Sequence, residues 1–131
     1  MTIQRGRSAL AAASEKQGSE RRAYLRHAAR QAARLERSTF LLARPNASLI
    51  EAGVAHLRGN AEQAVAHLAH AEQRFRDIDI AGFAQVAQYR RAKLLGGEEG
   101  AALEAEAARF FHAETVVSPA RTVRMIAPGF D

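Results

Sequence analysis

The stretch Gly53–Phe75, GVAHLRGNAEQAVAHLAHAEQRF, constrains this chain most. Its Gly59-Asn60 pair separates the back half of one helix from the start of another. Small residues at Ala64 and Ala71 then fall on one side of the second helix. A weaker copy follows at Arg90–Phe111, RRAKLLGGEEGAALEAEAARFF. Gly59 to Gly96, Ala64 to Ala101 and Ala71 to Ala108 are each 37 apart. The N-terminal part is related more loosely, with Leu25, Ala28 and Leu35 lying 40 before Val65, Leu68 and Phe75. Spacing of this order is the signature of stacked helix pairs. The expected fold is all-α: antiparallel helix hairpins stacked as a short solenoid, about six helices plus a short C-terminal one.

Composition agrees. A single domain is expected for 131 residues, long enough to bury a core without staples. Alanine supplies much of the 47% apolar content and Trp is lacking, which favours close helix packing over a core of bulky side chains. With no Cys, disulfides and thiolate metal sites are excluded. Apolar runs such as Phe40–Ala43 are far shorter than the roughly 20 residues needed to span a bilayer, so no membrane role is expected. The apolar run Ala9–Ala13 leads into charge rather than a cleavage site, so no signal peptide is read and the cytoplasm is the expected location.

Punctuation divides the chain further. Residues 1–18 read as an N-terminal arm with a short helix, Arg7–Lys16. Segments 19–58, 59–95 and 96–113 read as approximate repeats, and 118–131 as a C-terminal cap. Ser19 offers an N-cap for a helix over Glu20–Arg37. Pro45 leaves two starts for the third helix: near Arg44, with the proline in its first turn, or at Ser38–Thr39 with a bend. The second is preferred, because Phe40 and Leu41 otherwise sit in a loop. Asn60 with Gln63 caps the fourth helix, Ala61–Phe75, whose buried face is Ala64, Val65, Leu68, Ala71 and Phe75. Asp77 or Asp79 caps the fifth, which ends near Leu95 at Gly96-Gly97. A sixth, about Glu98–His112, puts Ala101, Leu103, Ala108 and Phe111 inward or near the interface. Ser118-Pro119 opens the last helix, which stops before Pro128.

Gly59, Ala64, Leu68 and Ala71 resemble the turn-glycine, small, large and small positions of a tetratricopeptide repeat. The aromatic and Leu-Gly positions of that repeat's first helix are missing; Ser48, Glu51 and Ala52 stand there. LRGNAEQAVAHLAHAEQRF, YRRAKLLGGEEG and SPARTVRMIAPGF, in that order, resemble the degenerate repeats at the C-terminal end of large bacterial serine/threonine kinase or ATPase signalling proteins. That resemblance implies a docking or sensing role. It carries over no kinase or nucleotide-hydrolysing activity, since the Gly-rich phosphate loop, His-Arg-Asp and Asp-Phe-Gly are all missing.

The formal charge of +5 divides unevenly, +7 in residues 1–46 and −2 in 47–131. The sharpest surface feature is a ladder on the second helix: Arg22, Arg26, Arg30 and Arg34, with Arg37 a turn beyond. Residues four apart line one edge, and neighbouring like charges cost about 0.2–0.5 kcal/mol per exposed pair. An anionic partner offsets that cost; a solvated face needs no partner at all. Arginine outnumbers lysine 17 to 2 over the whole chain, a bias that a GC-rich genome also produces. Aromatic interleaving, the companion of single-strand binding, reduces to Tyr24. His56, His67 and His70 flank the Gly59 turn, but no HExxH-like spacing supports zinc, and an edge of partly exposed histidines explains them. The carboxylate pairs Asp77/Asp79 and Glu98/Glu99 fall at expected helix starts, where negative charge suits the dipole, and Glu104/Glu106 do not face each other. No catalytic residue, metal or cofactor is expected.

The sequence thus points to a non-enzymatic helical-repeat module that binds another protein, with the arginine ladder as its candidate binding residues. A homodimer through the poorly covered N-terminal end fits the same pattern. The alternative is a basic helical nucleic-acid-binding protein that uses the arginine-rich N-terminal half.

Overall fold

The computed structural model describes residues 2–113 and 119–130. Among them the fold is all-α: α1 (Thr2–Glu15), α2 (Gly18–Glu36), α3 (Ala43–Leu57), α4 (Ala61–Asp77), α5 (Ala81–Leu95), α6 (Gly97–Ala113) and α7 (Pro119–Ile126). From α1 to α6 each helix packs on the next, which builds three antiparallel hairpins stacked in chain order. Beyond these neighbours, α1 meets α3 and α5 meets α7. On one side of the hairpins α1, α3, α5 and α7 line a common hollow; this side is the inner layer, with α2, α4 and α6 on the other.

Alanine sets how closely these helices lie. Ala28, Ala32, Ala47, Ala64, Ala71, Ala84 and Ala87 are all buried at interfaces. At the crossing of α1 and α3 glycine takes the place of alanine, and a larger residue would require a side chain to shift. A methyl on Gly53 would stand 2.6 Å from Leu10 Cδ1, and one on Gly6 would stand 2.5 Å from Ile50 Cδ1. Helix α3 is covered on nearly every side, including the polar Asn46 and Ser48. Two apolar clusters result. One joins α1, α2 and α3 around Leu10, Leu25 and Ile50; the other runs from α3 to α7 around Leu68, Phe75 and Phe111. Phe75 meets Phe83 edge-on, with ring centroids 5.3 Å apart.

Several local expectations hold. Asn60 caps α4, its side chain accepting from the Gln63 amide at 3.1 Å. The buried face of α4 is Ala64, Leu68, Ala71 and Phe75; Glu72 joins it, while Val65 is only half-buried. Gly96 ends α5.

Others are corrected. Helix α3 starts at Ala43, not at Ser38–Thr39, which puts Pro45 in the first turn. No amide hydrogen bond is forfeited there, whereas a proline deeper in a helix costs about 3 kcal/mol or more. Phe40 and Leu41 are left in the preceding turn, 53% and 62% exposed. Ser19 lies inside α2, whose N-cap is Gln17. Asp77 is the last residue of α4, and Asp79 takes a left-handed φ of 59° in the turn, so neither caps α5. Helix α1 begins at Thr2 rather than Arg7 because Ile3 and Gly6 are drawn into the core. Ser118 lies outside the described residues.

The face of α6 differs too. Ala101 and Ala108 are exposed, Leu103 is half-buried, and Gly100, Ala107 and Phe111 point inward. Ala71 to Ala107 and Phe75 to Phe111 are 36 apart, so the packed repeat is one residue shorter than the alanine spacing suggests. Gly100 explains the shift. It sits against the α5 backbone, where an added Cβ would stand 2.5 Å from the Ala92 carbonyl oxygen.

Candidate functional site

The four arginines of the ladder, Arg22, Arg26, Arg30 and Arg34, are brought to one face of α2 and are all exposed. They lie opposite the buried stripe of Leu25, Ala28, Ala32 and Leu35. None of the four makes an ion pair or side-chain hydrogen bond among the described residues. Arg21, one position off the ladder, faces the α1–α2 turn instead. Its Nε donates to the carbonyls of Ala13 and Lys16, which completes the C-terminus of α1.

The histidines do not converge. His67 Nδ1 lies 3.2 Å from Glu51 Oε2, beside a hollow of about 340 Å³ between α2, α3 and α4. His70 is exposed, and His56 faces the inner layer. No group of three His, Asp or Glu side chains is positioned to hold a metal among the described residues. Glu98 and Glu99 occupy the first turn of α6, and Glu104 pairs with Lys93 at 2.7 Å. That bond raises the Lys93 pKa above its ordinary value.

The arginines that organise the molecule lie elsewhere. Arg74 of α4 binds Glu36 of α2 through two nitrogens, at 2.7 and 3.0 Å, and also donates to the Arg44 carbonyl and Ser48 Oγ. This fork joins three helices. The hydrogen bond to Arg74 holds the Glu36 carboxyl below the usual carboxylate range and raises Arg74 in turn. Glu72, 4% exposed, accepts from Arg76 at 2.7 Å and from Arg91 at 2.6 Å, which ties α4 to α5. Gln88, also buried, bridges Arg76 to the Leu103 carbonyl of α6.

The inner layer carries the richest constellation. Arg7 of α1, half-buried, donates to Asn46 Oδ1 of α3 at 2.8 Å, and desolvation pulls its pKa below the ordinary value. Beside this pair Ile3, Leu42, Phe83 and Met125 line a hollow of about 380 Å³ where α1, α3, α5 and α7 come together. Met125 is 70% exposed on its rim. Farther along, the last described residues cross the inner face. The Phe130 ring stacks on His56, centroids 5.1 Å apart, and the Arg90 guanidinium carbon lies 5.0 Å from the Phe130 centroid. Burial and the nearby Arg90 charge pull the His56 pKa below its ordinary value, opposed by a hydrogen bond to the Phe130 backbone.

Sequence reasoning missed Arg7, His56, Arg90 and Phe130 as a group. Helix α5 shows almost no amphipathic asymmetry, since α4, α6 and α7 all pack on it. Its buried Arg90 therefore has no periodic signal to stand out from. The apolar residues gathered at Met125–Phe130 were the one available clue.

Against known proteins, no family model, no curated protein and no solved structure matches this chain. No helix among the described residues is long and apolar enough to cross a membrane.

Proposed function

We propose that this chain is a non-catalytic helical-repeat module that binds another protein along its inner layer. The observation that carries this reading is the groove where α1, α3, α5 and α7 meet. It offers Ile3, Leu42, Phe83 and exposed Met125 for apolar contact, beside the Arg7–Asn46 pair for backbone hydrogen bonds. Apolar lining with a few placed polar groups is the usual make-up of a binding site. The resemblance of the repeat to degenerate tetratricopeptide regions supports a place in bacterial signalling. The binding site thereby moves from the arginine ladder to the opposite side of the hairpins.

The test is site-specific photo-crosslinking in the native host. A crosslinking residue replaces Met125 in one version of the chain and Arg30 in another. Protein adducts from position 125 and none from position 30 are expected. Adducts from position 30 alone would return the site to the ladder.

A second reading, nucleic-acid binding, is favoured by one observation: the ladder is exposed and unpaired. It expects retention on heparin that falls steeply with salt. Retention unchanged after Arg26→Ala and Arg30→Ala would dispose of it.

A further inference from the structure

Beyond the hollow at Arg7 and Asn46, the inner layer already holds a polypeptide segment, residues 127–130 of the chain itself, against α1, α3 and α5. Several contacts hold it, among them a hydrogen bond between His56 and the Phe130 backbone. Arg90, 5% exposed, donates from Nε to the Ala127 carbonyl at 3.1 Å. Gly129, at a φ of 96°, passes so near α1 that an added Cβ would stand 3.2 Å from Leu10 Cβ. The Phe130 ring lies almost parallel to the His56 imidazole, the planes 23° apart, within cation–π distance of Arg90.

These are contacts a peptide makes with a receptor: one carbonyl accepting from a side chain, one small residue where the backbone meets a wall, one ring clamped. The receptor side comes from α1, α3 and α5, all distant in sequence from the segment. Val123, Ile126 and Ala127 anchor α7 and its end in the core, whereas Phe130 is only half-buried against that cluster. Nor is the groove filled. A hollow of about 300 Å³ lies beside Phe130, Arg90 and Lys93, and the 380 Å³ hollow opens beside Met125.

We propose that residues 127–130 are a resident ligand of this groove, and that its external ligand is a polypeptide segment whose aromatic side chain takes the place of Phe130 on His56 and Arg90. This rests on the reading of the chain as an interaction module and adds two things: the partner's chemistry and the competition that controls its entry. A tethered occupant acts at an effective concentration in the millimolar range for a short connection. Weak aromatic segments are therefore kept out, and the apparent affinity of a strong one falls by the fraction of molecules whose groove is open.

Fluorescence anisotropy with a labelled synthetic peptide, RTVRMIAPGF (residues 121–130), tests this directly. The peptide should bind the full chain carrying Phe130→Ala at least about tenfold more tightly than the unaltered chain. The same peptide ending in Ala instead of Phe should lose that binding. Equal affinity for the two proteins, or binding that ignores the peptide's ring, overturns the proposal. If circular dichroism shows that Phe130→Ala has lost its helices, the unaltered chain decides. Its His56 ring proton resonances should move on titration with the Phe peptide and not with the Ala peptide, and no movement at millimolar peptide refutes the idea. A native partner crosslinked equally by the unaltered chain and by Phe130→Ala would leave the module reading standing and remove only the resident ligand.

Discussion

Two sets of arginines divide this molecule. On α2, Arg22, Arg26, Arg30 and Arg34 stand in water with no partner among the described residues. On α4 and α5, Arg74, Arg90 and Arg91 are drawn between helices and hold carboxylates, carbonyls and an aromatic ring. The first set dominates the sequence because it is periodic and lies in the strongly basic part of the chain. The second organises the tertiary structure although nothing in its spacing announces it. A guanidinium's contribution depends on what surrounds it: water screens the exposed ladder, while burial makes each lost partner costly.

The widest gap between the sets should appear at Glu72. Replacing it by Ala leaves Arg91 in the α4–α5 interface without its carboxylate, and loss of one member of a buried pair costs about 3–5 kcal/mol. Urea denaturation should show that loss as a large fall in midpoint; a change under about 1 kcal/mol would put Glu72 in the same class as surface pairs.

Arg74→Met should cost less, about 1–2 kcal/mol, because Glu36 is 38% exposed and solvent screens part of the interaction. The pair also sets an acid limit. Glu36 has a folded pKa below its ordinary 4.5, so its stabilisation is complete above that value and is lost as pH falls through the folded value. Denaturation below pH 4.5 should therefore be shallower in Arg74→Met than in the unaltered chain.

His56 gives a smaller effect in a different pH window. Its folded pKa lies below the ordinary 6.5, so the unfolded chain takes up the proton first and stability declines as pH drops under 6.5. Above 6.5 it contributes no pH slope. A stability profile between pH 5 and 7 should flatten in His56→Gln; an unchanged slope would place the proton uptake on another group.

Smallest of all is the ladder. Arg22→Gln, Arg26→Gln, Arg30→Gln and Arg34→Gln together should leave the melting temperature unchanged or slightly higher, relief of like-charge neighbours being worth about 0.2–0.5 kcal/mol per pair. A marked drop would show that these side chains hold structure after all.

Legibility in the sequence followed the range of the interaction involved. The Asn60 cap rests on a contact three residues long, and Ala64, Leu68, Ala71 and Phe75 share one helix face, so both could be read directly. The α3 start is not legible because Phe40 and Leu41, apolar yet exposed in the turn, mimic the first turn of a helix. The α6 face is not legible because alanine is common enough here to match at the wrong offset. Gly100 fixes the true one through its fit to the α5 backbone, which no spacing reveals.

The sequence by itself determined that the chain is helical, where most of its breaks fall, and which face of α4 is buried, because these depend on neighbours within one or two turns. Only the tertiary structure decided that α1 and α3 cross at paired glycines, that Arg74 and Arg91 are captured while the ladder is not, and that Phe130 returns to His56 and Arg90. Those outcomes join residues tens of positions apart, and close packing across an interface leaves no period in either strand of sequence that meets there.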